Sequence, residues 1–266
     1  MLSLLYTELI NIILEYLEHG DIINYLTVMY INSDEIDINL YLEKIMKNIK
    51  MISENDEDMM KILHMKHLKH LTITAVNLNT LSCLKNIEYL DISLSGREDM
   101  IIDFQFLSEL TKLKVLIMDN IYYDTIINFS DISKLNNLEK LSMTCNTFLL
   151  DSDLISLSNL NLKHLDLEEC ENITEDGLIY IGQITSLTSL NIAGIEPTGN
   201  CIIESLKLLT NLQNLNLRGT LLADSDILYL ISILENLHEI DIRDCSNITK
   251  NGCDTMMNIV FNRQNK

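Results

Sequence analysis

The chain has 266 residues, 47% of them apolar and 22% charged, which is room for one large core or an elongated repeat array and too polar a balance for a membrane protein. Acidic residues number 39 against 19 basic ones, a formal net charge of −20, which argues against diffuse attraction to nucleic-acid phosphates or anionic lipid. No segment approaches the roughly 20 uninterrupted apolar residues of a spanning helix, and the apolar start carries no Lys or Arg before Lys44, so it lacks the basic opening of a secretory signal; the expected place is the cytoplasm or nucleus, of a host cell if the source is a virus. The 28 Asn against 3 Ala and 4 Arg follow the codon bias of an AT-rich genome.

Residues 1–50 predict a small all-α module. Leu5, Leu9, Ile12, Ile13, Tyr16 and Leu17 share one helical face, Gly20 suits a helix end, and Asp21 caps a second helix presenting Ile22, Tyr25, Leu26 and Met29. The order Leu5, Glu8, Leu9, Ile13, Leu14, Leu17, Asp21, Ile22, Leu26, Val28 resembles the F-box signature, with Tyr6 where that family usually has proline and without its later Cys and Trp. The resemblance implies docking to a Skp-type adaptor through Leu5, Tyr6, Leu9, Ile13, Leu17, Ile22 and Leu26. The alternative is a helical hairpin that only caps the rest of the chain. A third helix is expected over Asn39–Ile49. Residues 51–67 read as a linker, polar at Ser53–Asp58, and a cap helix from Asp56 to Lys66.

From residue 68 to 252 one frame repeats. Leu-x-x-Leu-x-Leu recurs at Leu68, Ile87, Leu113, Leu138, Leu162, Leu187, Leu212 and Leu237, with starts 19, 26, 25, 24, 25, 25 and 25 residues apart. Its end alternates with period 2, as a half-buried strand does, and it follows a helically spaced stripe such as Ile227, Leu230, Ile231 and Leu234. One unit buries about six aliphatic side chains at roughly 1.5–3 kcal/mol each, against an ordering cost on the order of 1–2 kcal/mol for each of its residues. Units of this size therefore fold only as a stack. The array resembles the leucine-rich-repeat family, which implies an α/β solenoid of about eight repeats with a parallel concave sheet and a helical convex side. A longer convex loop is expected over Gly96–Phe106.

Two copies carry Cys170-Glu-Asn-Ile-Thr174 and Cys245-Ser-Asn-Ile-Thr249, each with a glycine three residues on, and resemble the cysteine-containing repeat class. Thr174 and Thr249 are expected N-caps. The six cysteines form no CxxC pair and read as reduced core residues. His64, His67 and His70 lie close in sequence without a nearby Cys or carboxylate and read as surface histidines. Residues 253–266 form a C-terminal cap, with Cys253, Met256, Met257, Val260 and Phe261 as its apolar stripe.

No phosphate loop, Gly-x-Ser-x-Gly or His-Glu-x-x-His occurs, so neither an enzyme, a cofactor nor a metal is expected. Binding is expected on the concave columns, at Asp91, Asp166, Glu168, Asn191, Asn216, Arg218, Glu239, Asp241 and Arg243. Groups of both signs there suit a protein partner better than nucleic acid or a membrane. An F-box ahead of cysteine-type repeats implies the substrate-recognition subunit of a cullin-RING ubiquitin ligase, selecting an unknown protein substrate. The alternative is a protein-interaction scaffold with no ligase role.

Overall fold

In the computed structural model the described residues are 48–52, 68–74, 78–93, 104–121, 129–196 and 199–264. The F-box-like helices and the cap helix from Asp56 to Lys66 lie outside them. Nine strands make one parallel sheet in chain order: β1 (Asn48–Ile52), β2 (His70–Thr74), β3 (Tyr89–Asp91), β4 (Val115–Ile117), β5 (Lys140–Ser142), β6 (His164–Asp166), β7 (Ser189–Asn191), β8 (Asn214–Asn216) and β9 (Glu239–Asp241). β2 to β9 are the eight repeat strands. β1 precedes them and pairs with β2 over five positions, from Asn48 opposite His70 to Ile52 opposite Thr74. This corrects the third helix expected to reach Ile49 and the module boundary set at residue 50. Asn48-Ile-Lys-Met-Ile alternates polar and apolar residues, and a free edge on β2 rewards pairing more than a last helical turn would.

The register explains the burial. Leu71, Leu90, Leu116, Leu141, Leu165, Leu190, Leu215 and Ile240 form one ladder, all buried. They meet the second aliphatic row, Ile73, Ile92, Met118, Met143, Leu167, Ile192, Leu217 and Ile242, in one continuous core. The other face carries the polar alternates. Strands stack about 4.8 Å apart while helices need about 10 Å, so a layer of helices on one side bends the sheet inward as the concave face.

The opposite layer changes along the chain. Among the described residues the first two units have 3-10 turns, Asn79–Cys83 and Gln105–Glu109; the next have single-turn helices, Phe129–Ile132 and Asp151–Leu154; the last four have Glu175–Ile181, Gly199–Leu206, Asp224–Ile233 and Lys250–Gln264. A 19-residue first repeat leaves too few residues for a helical return, and a 3-10 turn covers more distance per residue. The loop expected at Gly96–Phe106 is not a bulge at its end: Phe104 and Phe106 are buried, their rings 6.2 Å apart. The last helix buries Met256 and Val260, but Met257 and Phe261 of the expected stripe are exposed. Arg263 fixes this helix by donating to the carbonyls of Ile231, Leu234 and Leu237.

Candidate functional site: the sheet face

Three columns of side chains line the open face of the sheet. The first ladder holds His70, Tyr89, Val115, Lys140, His164, Ser189, Asn214 and Glu239, and the second Thr72, Asp91, Ile117, Ser142, Asp166, Asn191, Asn216 and Asp241. Ser93, Asp119, Thr144, Glu168, Ala193, Arg218 and Arg243 follow two residues on. The nine residues expected at the binding face are therefore all brought to one surface. Spacing alone fixed this, because period 2 within a strand and about 25 residues between strands leave no freedom of side.

Sequence reasoning missed that many of these groups also hold the backbone. Oδ1 accepts the N–H of the residue two positions on in Asp91 (Ser93, 3.1 Å), Asp166 (Glu168, 3.2 Å), Asn191 (Ala193, 3.1 Å), Asn216 (Arg218, 3.0 Å) and Asp241 (Arg243, 3.0 Å). This is the Asx turn, and it ends these five strands, β3 and β6 to β9. The residues three beyond the ends of β4 to β9, Asn120, Cys145, Glu169, Gly194, Gly219 and Asp244, take positive φ. There the chain leaves the sheet, with the Cys145, Glu169, Gly194 and Gly219 N–H groups donating to the Glu168, Ala193, Arg218 and Arg243 carbonyls of the following repeat. Asn, Asp and Gly tolerate this conformation, a column signal present in the sequence but interrupted by Cys145 and Glu169.

Charge is distributed unevenly. At the C-terminal end Arg243 donates to both carboxylate oxygens of Asp241, at 2.5–3.0 Å, and holds that carboxyl below its usual range. Arg218 Nε donates to Asp244 at 2.7 Å, and Asn191 donates to Glu168 at 2.9 Å. Burial pushes the Asp166 carboxyl up, with the Glu168 N–H opposing it. In the N-terminal half the face is aromatic and aliphatic: His70 stacks on Tyr89 with centroids 5.6 Å apart, and Val115 and Ile117 emerge half-buried beside them. Burial raises the Tyr89 phenol, helped by the Asp91 and Asp119 charges. His70 is thus a sheet-face residue; His64 and His67 lie outside the described residues, as do Leu5, Tyr6, Leu9, Ile13, Leu17, Ile22 and Leu26.

The column behind the sheet is structural. Asn146 donates to the Met118 carbonyl and accepts the Ile121 N–H, both at 2.8 Å. Cys170 donates to Met143 O at 3.0 Å, Cys245 to Leu217 O at 3.2 Å, and Thr220 to Leu217 O at 2.7 Å. The expected caps also form: Thr174 accepts the Asp176 N–H and Thr249 the Gly252 N–H. The sequence matches no protein-family profile and no curated protein. Among solved structures, a leucine-rich-repeat protein of Leptospira interrogans is similar with a TM-score of 0.58 at 20% identity, over 74% of this chain and 49% of that one. Internalin C2 of Listeria monocytogenes is similar with a TM-score of 0.52 at 19% identity, over 77% of this chain and 83% of that one. The fold is a leucine-rich-repeat solenoid. This chain spans about half the length of the Leptospira protein.

The repeats are also tied along their flank. Lys69, Glu88, Lys114, Glu139 and Lys163 alternate in sign just before successive strands, and Glu88 bridges Lys69 and Lys114. The alternation is legible in the sequence once the frame is extended to the position just before each strand. Asn137, Asn211 and Asn236 donate to the carbonyls of Thr111, Thr185 and Thr210, one repeat back, and Asn172 and Asn247 to those of Thr147 and Leu221. The Asn content is therefore used by the fold, beyond any codon bias. No helix among the described residues is long and apolar enough to cross a membrane.

Proposed function

We propose that this protein is a non-catalytic interaction scaffold whose concave sheet face holds a protein partner. The observation that carries the reading is the unbroken register from β2 to β9, which presents three aligned columns of mostly polar side chains on one rigid surface. A surface of this kind favours complementary contact over chemistry, since its carboxylates repeat with the solenoid period and are spent largely on strand ends. Lys140, His164 and Glu239 are exposed first-ladder residues and make cleaner probes than Asp166 or Asp241, which also hold backbone. Capture of a partner from cell extract should be lost in Lys140→Glu with Glu239→Lys and kept in the convex control Lys207→Glu. Equal capture by the wild-type chain and both variants would remove the sheet face from the reading.

A finer reading makes the scaffold the substrate-selecting subunit of a cullin-RING ligase, with Leu5, Tyr6, Leu9, Ile13, Leu17, Ile22 and Leu26 on a Skp-type adaptor. Its support is the N-terminal sequence pattern alone. Purified adaptor should bind the full chain and not the Leu9→Ala, Leu17→Ala variant. Failure of the wild-type chain to bind leaves the bare scaffold.

A further inference from the structure

We infer that the partner is gripped in the N-terminal half of the concave face, around Tyr89, Val115 and Ile117, and that it offers a chain segment with a large apolar side chain flanked by Lys or Arg. The inference rests on the scaffold reading and sharpens it, because it places the contact on β3 and β4, away from β6 to β9 where most of the nine expected residues stand.

Three observations lead there. First, the C-terminal charges other than Glu239 are paired within the chain. Arg243 occupies both oxygens of Asp241 and Arg218 is tied to Asp244, so a partner would have to break ion pairs before making its own. Second, the first and second ladders are polar at most other places but carry adjacent half-buried Tyr89, Val115 and Ile117 on β3 and β4. Aromatic residues in the middle of a contact surface supply most of its binding energy, since they bury a large area with few rotors. Tyr89 is already positioned by the stacked ring of His70.

Third, the charge around this patch is mostly negative, Lys140 beside Val115 being the exception. At the described concave positions of β2 to β6 and the residue two beyond each of β3 to β6, the charged residues are Asp91, Asp119, Asp166 and Glu168 against Lys140. Asp91 accepts from Ser93 through Oδ1, and Asp119 from Ser142 and Thr144 through Oδ1. In both, Oδ2 accepts no hydrogen bond among the described residues, which leaves two oxygens beside Ile117, one across from it on β3 and one two residues beyond it, for a cationic group. With a chain charge of −20, a basic segment is also drawn in at long range, where an acidic one is repelled.

The test is selection of a random peptide display library on the full chain, followed by affinity measurement of the enriched peptides. Enriched sequences should pair an aromatic or aliphatic anchor with Lys or Arg. Tyr89→Ala should weaken them by about tenfold or more, as a central aromatic anchor does, and Tyr89→Phe should keep most of the affinity. Asp91→Asn with Asp119→Asn should weaken them and flatten their salt dependence. That pair retains Oδ1 acceptors, as Asn191 and Asn216 do at the level of Asp91 in the same ladder, so the fold should survive it. Peptides that are not basic, or that ignore Tyr89 and both aspartates while losing affinity in Lys140→Glu with Glu239→Lys, overturn this inference and keep the scaffold. Peptides insensitive to every concave substitution, or weakened only by the convex Tyr229→Ala, overturn both.

Discussion

Glycine 252 is small because an aspartate of the preceding repeat occupies the space where its side chain would be. The Asp224 carboxylate accepts both the N–H and the hydroxyl of Thr249, at 2.9 and 2.6 Å, and a Cβ on Gly252 would fall 2.1 Å from its Oδ1. Asp151, Thr174 and Gly177 repeat the arrangement, with a Cβ 2.3 Å from the carboxylate. Gly252→Ala should therefore cost about 1–3 kcal/mol by overpacking, set against a gain near 1 kcal/mol in helix propensity. In an Asp224→Ala background the cost should vanish or change sign, which a double-mutant cycle by chemical denaturation measures. Additive costs would refute the account. The thiols separate in the same way. All six cysteines are free, but burial pushes Cys170 up to about 12 and its hydrogen goes to Met143 O. A thiol reagent on the folded chain should modify exposed Cys83 first and spare Cys170 until unfolding.

At the scale of elements, the flank charges and the added strand set the order of the stack. Lys114 and Lys69 hold the Glu88 carboxyl at about 2, down from its ordinary 4.5. A depressed carboxyl contributes stability that is whole above about 4.5 and is lost as the pH falls toward 2. Glu88→Gln should therefore lower the melting temperature at pH 7 and leave it unchanged near pH 2, by a modest amount because the pair is solvated and screened by salt. A gap that persists at pH 2 would assign the loss to packing. β1 makes a second demand. Removing residues 1–47 keeps Asn48–Ile52 on the edge of β2, whereas removing 1–52 exposes that edge. The longer deletion should aggregate or melt earlier; identical melting would deny β1 a role.

For the whole molecule, a solenoid is held by nearest neighbours, so its ends open first. The last helix, Lys250–Gln264, closes the C-terminal end with Met256 and Val260 buried and with Arg263 on three carbonyls. Truncation after residue 249 should remove hydrogen-exchange protection from β9 and β8 first and leave β4 to β6 protected. Uniform loss across the sheet would indicate a single cooperative unit.

The repeat frame, the buried rows, the three concave columns and the threonine caps were legible in the sequence. Each depends only on local alternation and a fixed period, and local geometry leaves a strand residue no third side. Leu165 and Leu167 are buried as that alternation requires. What the sequence did not yield depends on which repeat lies against which, and at what distance. Asn48–Ile52 is a strand because β2 offers it an edge. The first convex turn is 3-10 because the stack fixes how far a 19-residue repeat must reach. Asp241 is neutralised because Arg243, two residues beyond it, donates to both its oxygens, whereas Ser93 in the same place donates only to Asp91 Oδ1 and leaves Oδ2 without a hydrogen bond among the described residues. Periodicity decided where every concave side chain stands; only the folded chain, in the turns that end the strands and between neighbouring repeats, decided which of them still has a valence to give a partner.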